Sequence, residues 1–298
     1  SELGIKRFFL FIFLISIFFI LYSLFLGFEI KGSNRWAYFL GYRFQPSEFL
    51  KVSFIIISAW IFSSNVNLKN LNNKTLSFIL YLFVSSLVLL QPHVSMFCII
   101  SLAYFAQLWI SGLKWKWVGI SSLFFGSIFS LCYFIIDNVK SRVNTFFNPQ
   151  VGDNYQINKS LEAIIEGGFF GKGPGAGIIK DILPDAHTDF IFAVVAEEFG
   201  WITCLIIIFI FIFLIFTIFQ RIKKTNDIFS FLAVSGLVTQ FGFQIFVNVG
   251  STIGLIPTTG TTLPFISYGG SSMFSCALNL GVILGLTRIK YIDEFVQK

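Results

Sequence analysis

The sequence predicts an all-α polytopic membrane protein with about eight transmembrane helices and a large extracytoplasmic loop before the sixth of them. The first observation is composition: of 298 residues, 55% are hydrophobic and 12% are charged, and the mean hydropathy is +0.81. Soluble domains carry about 25% charged residues. The second observation is a series of apolar segments of bilayer-spanning length, and the third is the distribution of lysine and arginine among the loops.

Eight apolar segments approach the roughly 20 residues that a spanning helix needs. They are residues 8–28, 46–63, 76–92, 94–111, 117–136, 190–219, 228–249 and 269–287. The third and fourth are separated only by Gln91-Pro92-His93, where the proline favours a tight turn. The sixth is unusually long and contains Glu197 and Glu198, so we expect it to be tilted, kinked or partly above the bilayer.

The loops divide into a basic set and a set with few basic residues, and this difference predicts the orientation. The basic set holds Lys6, Arg7, Lys69, Lys74, Lys114, Lys116, Arg221, Lys223, Lys224, Arg288, Lys290 and Lys298. The opposite short loops hold Lys31, Arg35 and Arg43, and no basic residue near His93 or in 250–268. Because basic loops stay in the cytoplasm, both termini of this chain are predicted to be cytoplasmic, in a multi-pass protein of the cytoplasmic (inner) membrane.

This orientation places one long loop, residues 137–189, outside the cytoplasm. Its aromatic, glycine and mixed-charge content predicts a folded loop, because long structureless loops are uncommon. Residues 155–166 have the pattern of a short amphipathic helix. The sequence shows no internal repeat and no low-complexity linker, so residues 1–298 are predicted to form a single integral membrane domain.

Cysteines, charge and the first residues argue against several other classes. Cys98, Cys132, Cys204 and Cys276 all lie in apolar runs, which argues against a disulfide framework. The net charge of +6 is modest and gives no reason to expect a nucleic-acid partner. The chain starts at Ser1 without the features of a signal peptide, and we expect it to begin partway through a longer protein.

Asp189 occupies the most informative position in the sequence. It ends the polar stretch 183–189 and stands directly before the apolar run 190–196, where water meets lipid. An ionisable side chain at such a boundary is costly to keep and is a functional candidate. The alternative is structural, because aspartate before a helix is a favoured N-cap. Thr188 could supply that cap instead and leave Asp189 available.

Four blocks of sequence between the apolar segments carry a family resemblance. The first block is Gly32-Ser33-Asn34-Arg35-Trp36 with Gln45-Pro46-Ser47-Glu48 and Lys51. The second block contains Arg142, Phe147-Asn148-Pro149, Asp153, Tyr155-Gln156, Ser160, Gly167-Gly168 and 171–177. The third block is 183–192 with Glu197-Glu198-Phe199-Gly200, and the fourth contains Asn248, Pro257-Thr258-Thr259-Gly260 and 263–272. In this order they resemble the SEDS family of shape, elongation, division and sporulation proteins (FtsW, RodA and SpoVE). The Pro-Thr-x-Gly form and Ala186-His187 are most similar to the FtsW branch.

The resemblance implies ten spans, of which the first two would be absent here. It also implies an activity, the polymerisation of lipid II into glycan strands outside the membrane during division. Lipid II is a disaccharide pentapeptide on a lipid pyrophosphate. The expected partners are a class B penicillin-binding protein, which cross-links the strands, divisome scaffold proteins and membrane lipid. Two rival functions are a lipid II flippase and a non-catalytic scaffold for the penicillin-binding protein.

Glycosyl transfer from a polyprenyl pyrophosphate needs a base for the acceptor hydroxyl and cations for the leaving pyrophosphate. By resemblance, Asp189 aligns with the essential acidic residue of the family and is the predicted general base. Arg35, Arg142 and Lys172 are the predicted pyrophosphate contacts, with interfacial anchoring as the alternative role. His187 is predicted to orient the site, or to be an ordinary loop histidine.

Further candidates lie in or near the spans. Glu48 and Lys51 are three residues apart on one helix face, so an internal ion pair that shapes a polar cavity is expected. In the fourth block, four residues are predicted to line the substrate groove, with close helix packing as the alternative. They are Ser267, Gly269, Gly270 and Ser271.

Nucleotide and metal sites are not expected. The glycine-rich segment 171–177 lacks the ending of a phosphate loop and is predicted to be a flexible or tightly folded turn. His187 and Asp189 have no third ligand at a defined spacing. A divalent cation, Mg²⁺ or Mn²⁺, carried by the substrate pyrophosphate is compatible with one or two carboxylates.

Two positions depart from the family pattern. The family usually has Gln-Pro-Asp-x-Gly where this chain has Gln91-Pro92-His93-Val94-Ser95, so no role of that aspartate is carried over to His93. Thr259 replaces a lysine that is common in the division branch.

Overall fold

The computed structural model describes residues 2–27, 34–39, 41–64, 72–112, 115–148 and 154–288. Within these ranges the chain forms helices and one small hairpin. In chain order the elements are α1 (Glu2–Leu26), β1 (Ala37–Phe39), β2 (Tyr42–Phe44), α2 (Pro46–Ser63), α3 (Asn73–Leu90), α4 (Val94–Ile110), α5 (Trp115–Ile135), α6 (Asp137–Phe147), α7 (Tyr155–Gly167), α8 (Ile179–Ile182), α9 (Ile191–Ile222), α10 (Ile228–Thr252) and α11 (Gly270–Leu286).

Each of the eight predicted segments coincides with a helix, so the polytopic helical class is confirmed. Five helices in the described ranges are long and apolar enough to cross a membrane, namely α1, α2, α3, α9 and α10. The helices α4 and α11 are apolar but have 17 residues each, and α5 contributes the described apolar stretch Gly126–Ile135. The chain is therefore a multi-pass membrane protein, and the count of eight spans stays a prediction.

The helices α2 and α10 form the centre of the bundle. In each of them 72% of the apolar window is buried, against 28% in α1 and 17% in α9. The approach of α10 is close at Gly236, where a Cβ atom would lie 2.5 Å from Gln107 Nε2 and 2.7 Å from Ile55 Cγ2. Gln107 in turn donates hydrogen bonds to the carbonyls of Ile55 and Leu232, which ties α4 to α2 and α10.

The long helix α9 is broken at Gly200, which is the kink among the three alternatives expected for this segment. Gly200 has φ 81° and ψ 175°, a conformation that favours glycine. The break frees backbone groups that a continuous helix would pair, and the preceding loop pairs them. Lys172 N and Gly173 N donate to the carbonyls of Glu197 and Glu198 at 2.9 and 3.0 Å, and Trp201 N donates to the carbonyl of residue 168 at 2.9 Å.

The loop 137–189 is folded where the structure describes it. It contains α6, α7 and α8, and α7 (Tyr155–Gly167) confirms the amphipathic helix expected at 155–166. In contrast, the prediction missed the hairpin of β1 and β2, in which Ala37 pairs with Phe44 and Phe39 with Tyr42. Strands of three residues are too short to give an alternating pattern. The rings of Phe39 and Phe44 pack edge-on against Phe19 of α1.

All four cysteines are free thiols, as expected from their place in apolar runs.

Candidate functional site

A tight turn ahead of α9 carries Asp189. Asp185 has φ 57°, and its carbonyl accepts the N–H groups of Thr188 and Asp189 at 3.1 and 3.0 Å. The helix then begins at Ile191 with Phe190 in the N-cap position and no side-chain cap. Asp189 therefore lies one residue before the cap position. Its side chain is half-buried.

The turn is fastened to the rest of the bundle through its backbone. The carbonyl of His187 accepts a hydrogen bond from Tyr268 N at 2.8 Å, and the carbonyl of Thr188 accepts one from Ser267 Oγ at 2.5 Å. The carbonyl of Asp189 accepts one from Asn248 Nδ2 at 2.9 Å. These donors come from α10 and from the segment before α11.

The segment 257–262 forms a second wall beside Asp189. A Cβ atom on Gly260, where φ is 68°, would lie 3.5 Å from Asp189 Oδ2, so the carboxylate passes close to this glycine. Side chains from three other elements hold the segment by its carbonyls. The bonds are Arg142 Nη1 to Thr258 O at 2.9 Å, Ser95 Oγ to Thr259 O at 2.6 Å, Asn248 Nδ2 to Thr261 O at 2.6 Å and Gln244 Nε2 to Thr262 O at 2.9 Å.

Two of the three predicted pyrophosphate contacts lie near Asp189. The guanidinium of Arg35 donates to Gln91 O at 3.3 Å and also to Pro92 O. Burial, and then the charge of Arg142, lower the pKa of Arg35 to about 10, while Asp189 acts in the opposite direction. Desolvation also lowers the pKa of Arg142, again opposed by Asp189. The two arginines and the carboxylate of Asp189 therefore lie within electrostatic reach of one another.

The predicted ion pair of α2 is present and buried beneath segment 257–262. Lys51 Nζ lies 2.6 Å from Glu48 Oε2, with side-chain exposures of 1% and 8%. Lys51 also donates to Gln244 Oε1 at 2.8 Å, and Gln244 is the residue that holds Thr262. The ion pair of Glu48 and Lys51 is therefore connected to segment 257–262 through one side chain of α10, that of Gln244.

His93 occupies a cationic environment between α3 and α4. It is 2% exposed, and its Nδ1 lies 3.3 Å from Gln45 Nε2. Burial, followed by the charges of Arg35, Lys51 and Arg142, holds the pKa of His93 well below its usual range. His93 therefore lies within electrostatic reach of all three cations.

Lys172 and His187 lie near a different group of charged side chains, those of Glu166, Glu197 and Glu198. Lys172 pairs with Glu166, and its Nζ is 3.6 Å from Glu197 Oε1. The hydrogen bond that Lys172 donates to Glu166 raises the pKa of Lys172. His187 is exposed and lies toward Glu198, whose pKa is lowered chiefly by the hydrogen bond from Lys180. Lys172 is thus engaged with Glu166 and Glu197, and its predicted role on the pyrophosphate stays a prediction.

Glu197 and Glu198 fasten the glycine-rich segment to α9. Glu197 is fully buried, and its carboxylate accepts the N–H groups of residues 178, 179 and 180 at 2.8, 2.9 and 3.1 Å. Glu198 pairs with Lys180. The carboxylate of Glu197 thus holds residues 178–180, while Lys172 N and Gly173 N of the segment 171–177 bond the carbonyls of Glu197 and Glu198. Both sets of bonds favour the second of the two expectations, a tightly folded turn.

The four candidates before and in α11 take different positions. Ser267 is 5% exposed, and its hydroxyl accepts from Leu263 N at 2.7 Å while it donates to Thr188 O. Gly269 is the N-cap of α11, Gly270 is exposed and Ser271 is half-buried. Their predicted contact with a substrate stays a prediction. Sequence reasoning placed Asn248 in the fourth block of the resemblance but assigned it no role, and it did not single out Gln244. The signal that could have found Gln244 was its spacing of four residues from Asn248 on α10.

Among the described residues, no group of three or more His, Cys, Asp or Glu side chains is arranged to hold a metal ion. A cation would have to be held by the substrate phosphates with Asp189 as the nearby carboxylate, a donor set that hard cations accept.

Known proteins similar to this chain share both its sequence and its fold. The family model described as cell cycle protein (FTSW_RODA_SPOVE) matches residues 3–292. A probable peptidoglycan glycosyltransferase FtsW of Caulobacter vibrioides is 39% identical, over 97% of this chain and 74% of that protein. The peptidoglycan glycosyltransferase MrdB of Escherichia coli is 31% identical, over 89% of this chain and 74% of that protein.

Solved structures extend the match to three dimensions. The crystal structure of the rod shape determining protein RodA of Thermus thermophilus superposes with a TM-score of 0.71 at 25% identity, covering 98% of this chain and 81% of that chain. A chain from a peptidoglycan synthase complex superposes with a TM-score of 0.79 at 24% identity, covering 98% of this chain and 84% of that chain. The chain therefore belongs to the SEDS family, the FtsW/RodA/SpoVE proteins, and within that family it is most like FtsW.

Proposed function

We infer that this chain is a peptidoglycan glycosyltransferase of cell-wall synthesis, and we propose that it polymerises lipid II at the outer face of the cytoplasmic membrane during cell division. Relatives named as peptidoglycan glycosyltransferases support the activity. The observation that supports the mechanism is the position of the Asp189 carboxylate. It is half-buried and lies within electrostatic reach of Arg35 and Arg142, at the predicted outer end of the bundle.

Asp189 acts as the general base in this proposal. Its carboxylate takes the proton from the acceptor sugar hydroxyl as that oxygen forms a bond to the anomeric carbon of the donor. The bond between the anomeric carbon and the pyrophosphate oxygen breaks, and the electron pair leaves with the lipid pyrophosphate. The guanidinium groups of Arg35 and Arg142 are suited to phosphate oxygens by their planar, forked donors. They stabilise the charge that the leaving group gains.

The test is polymerisation of purified lipid II by Asp189→Asn, which keeps the size of the side chain and one acceptor oxygen but cannot take a proton. We expect strand formation to fall by about 10²–10⁴-fold, the usual contribution of a general base, with lipid II still bound. The matched control is Asp137→Asn, an exposed carboxylate at the start of α6. Undiminished polymerisation by Asp189→Asn would refute the assignment.

A flippase is the second candidate, and the buried pair of Glu48 and Lys51 is the observation that favours it. Transporters place their decisive ionisable groups near the middle of the membrane. Under this alternative, Lys51→Met abolishes lipid II translocation into vesicles while the protein makes no polymer. Under our proposal the wild-type protein forms strands from lipid II supplied on the outer side. A non-catalytic scaffold would do neither.

We further propose that a class B penicillin-binding protein, divisome scaffold proteins and membrane lipid are the partners of this chain. The structural neighbour comes from a complex described as coordinating polymerization and crosslinking, which supports a cross-linking partner. Addition of the purified transpeptidase should raise the polymerisation rate of the full-length protein. An unchanged rate and no co-purification would count against the partner.

The proposal also includes the orientation and the cation. Both termini of this chain lie in the cytoplasm, because the basic loops do. A membrane-impermeant thiol reagent should label a single cysteine introduced at Lys223 only after cell lysis. A divalent cation, Mg²⁺ or Mn²⁺, would be held by the substrate pyrophosphate with Asp189 as the nearby carboxylate, and it would supply positive charge for the leaving group. Chelation with EDTA should therefore lower the polymerisation rate, and added Mg²⁺ should restore it.

A further inference from the structure

The three carbonyl oxygens of residues 187–189 lie ahead of α9 and are not used by its first turn, which begins at Ile191. Each is held by a donor from another part of the chain: Tyr268 N, Ser267 Oγ and Asn248 Nδ2, at 2.8, 2.5 and 2.9 Å. A backbone held at three consecutive residues has little freedom to rotate. The direction in which the Asp189 side chain leaves the backbone is therefore determined from outside its own helix.

Asn248 makes the most demanding of these contacts. It is 0% exposed, and its single amide nitrogen donates to Asp189 O at 2.9 Å and to Thr261 O at 2.6 Å. Both partners are carbonyl oxygens, so only the NH₂ end of the side chain satisfies them, and this fixes which way the amide points.

The two carbonyls belong to the two walls of the candidate site. One is on Asp189 itself, and the other is on the residue after Gly260, the glycine beside Asp189 Oδ2. One buried amide therefore sets the distance between the turn that carries the carboxylate and the segment that faces it.

We propose that Asn248 is a positioning residue for glycosyl transfer, which acts through Asp189 and does not touch the substrate, and that Ser267 is its second support. This inference rests on the proposed function of Asp189. It also revises the expected role of Ser267, whose hydroxyl is fully engaged with the backbone of Leu263 and Thr188.

The expected effect follows from the sensitivity of catalysis to geometry. Asn248→Ala removes both bonds, and the turn and the segment are then free to move apart. A displacement of about 1 Å costs about 10²-fold in rate, so kcat for strand formation should fall about 10–100-fold. The KM for lipid II should change less than about three-fold, because the two arginines keep their own contacts.

The decisive experiment measures Asn248→Ala in the wild-type background and in Asp189→Asn, by polymerisation of purified lipid II with the full-length protein and its transpeptidase partner. A residue that acts only through Asp189 costs nothing more once the carboxylate is gone. We therefore expect a loss of about 10–100-fold in the first background and less than about two-fold in the second.

The chain offers a matched control and a second variant. Asn279 on α11 is also buried, at 2% exposure, and donates to a backbone carbonyl, that of Leu237. Asn279→Ala should resemble Asn248→Ala in thermal unfolding but keep its kcat. Ser267→Ala should lower kcat in the same way as Asn248→Ala, and Ser267→Thr, which retains the hydroxyl, should restore it. If Asn248→Ala does not fold, the kcat values of Ser267→Ala and Ser267→Thr test the positioning role in its place.

Two outcomes overturn the inference. Wild-type kcat in both Asn248→Ala and Ser267→Ala removes the positioning role, and an equal loss in both Asp189 backgrounds shows a role in the fold only. Failure of the proposed function looks different, because Asp189→Asn would then polymerise lipid II at the wild-type rate.

Discussion

Replacing Lys51 by methionine removes the cation from an ion pair that solvent scarcely reaches. The two side chains are 1% and 8% exposed, and Nζ lies 2.6 Å from Glu48 Oε2. Removal of one partner leaves a buried carboxylate without its counter-charge, which typically costs about 3–5 kcal/mol. Lys51→Met also removes the hydrogen bond to Gln244 Oε1. We therefore expect the free energy of unfolding to fall by about 4 kcal/mol.

The chain contains a control that differs chiefly in burial. Lys159 and Glu162 on α7 are also three residues apart and also separated by 2.6 Å, but their side chains are 25% and 43% exposed. Exposed pairs contribute little to stability because solvent screens them, so Lys159→Met should lower the free energy of unfolding far less than Lys51→Met does. Because the two ion pairs have the same separation, the ratio between the two losses in the free energy of unfolding measures the effect of burial.

The assay is unfolding in mixed detergent micelles with increasing SDS, followed by tryptophan fluorescence. A double variant, Glu48→Gln with Lys51→Met, leaves no charge behind and should lie within about 2 kcal/mol of the parent. If Lys51→Met costs no more than Lys159→Met, the reasoning from burial is refuted. It is also refuted if the double variant loses the sum of the two single losses.

Three further predictions concern close packing and the buried carboxylate. Gly236→Ala places a methyl group 2.5 Å from Gln107 Nε2 and should cost about 1–3 kcal/mol in the same assay, whereas Gly281→Ala meets nothing within 4 Å and should be neutral. Gly200→Ala places a Cβ 2.3 Å from a backbone oxygen at a φ of 81°, so the loop before α9 should become sensitive to protease while the bundle stays folded. Glu197→Gln offers one acceptor oxygen where the carboxylate offers two, so hydrogen exchange at the three amides it binds should accelerate by about ten-fold or more. Unchanged exchange would contradict the anchoring role.

The helices could be read from the sequence because their signals are local. The second predicted span, 46–63, coincides with α2, since Pro46 favours the first turn of a helix and the apolar run follows it directly. The helix at 155–166 was visible as a periodic pattern. The kink in the sixth span was one of the alternatives expected from its excess length and its two glutamates. In each case about 20 neighbouring residues contain the whole signal.

The hairpin at 37–44 shows where local signals end. Its strands have three residues each, and their stability comes from contacts with α1. A window of sequence does not contain that partner, so no pattern in the hairpin itself predicts it.

The site divides in the same way between what is local and what is not. The sequence alone marked Asp189, because a carboxylate at the edge of an apolar run is unusual wherever it occurs. Only the tertiary structure brought Arg35 and Arg142 toward Asp189, drew Lys172 to Glu166, and placed Asn248 between two backbone segments. The donor and acceptor in the bond from Asn248 to Asp189 are 59 residues apart. Hydropathy and periodicity determine which segments enter the membrane, whereas the packing of whole helices decides which side chains meet.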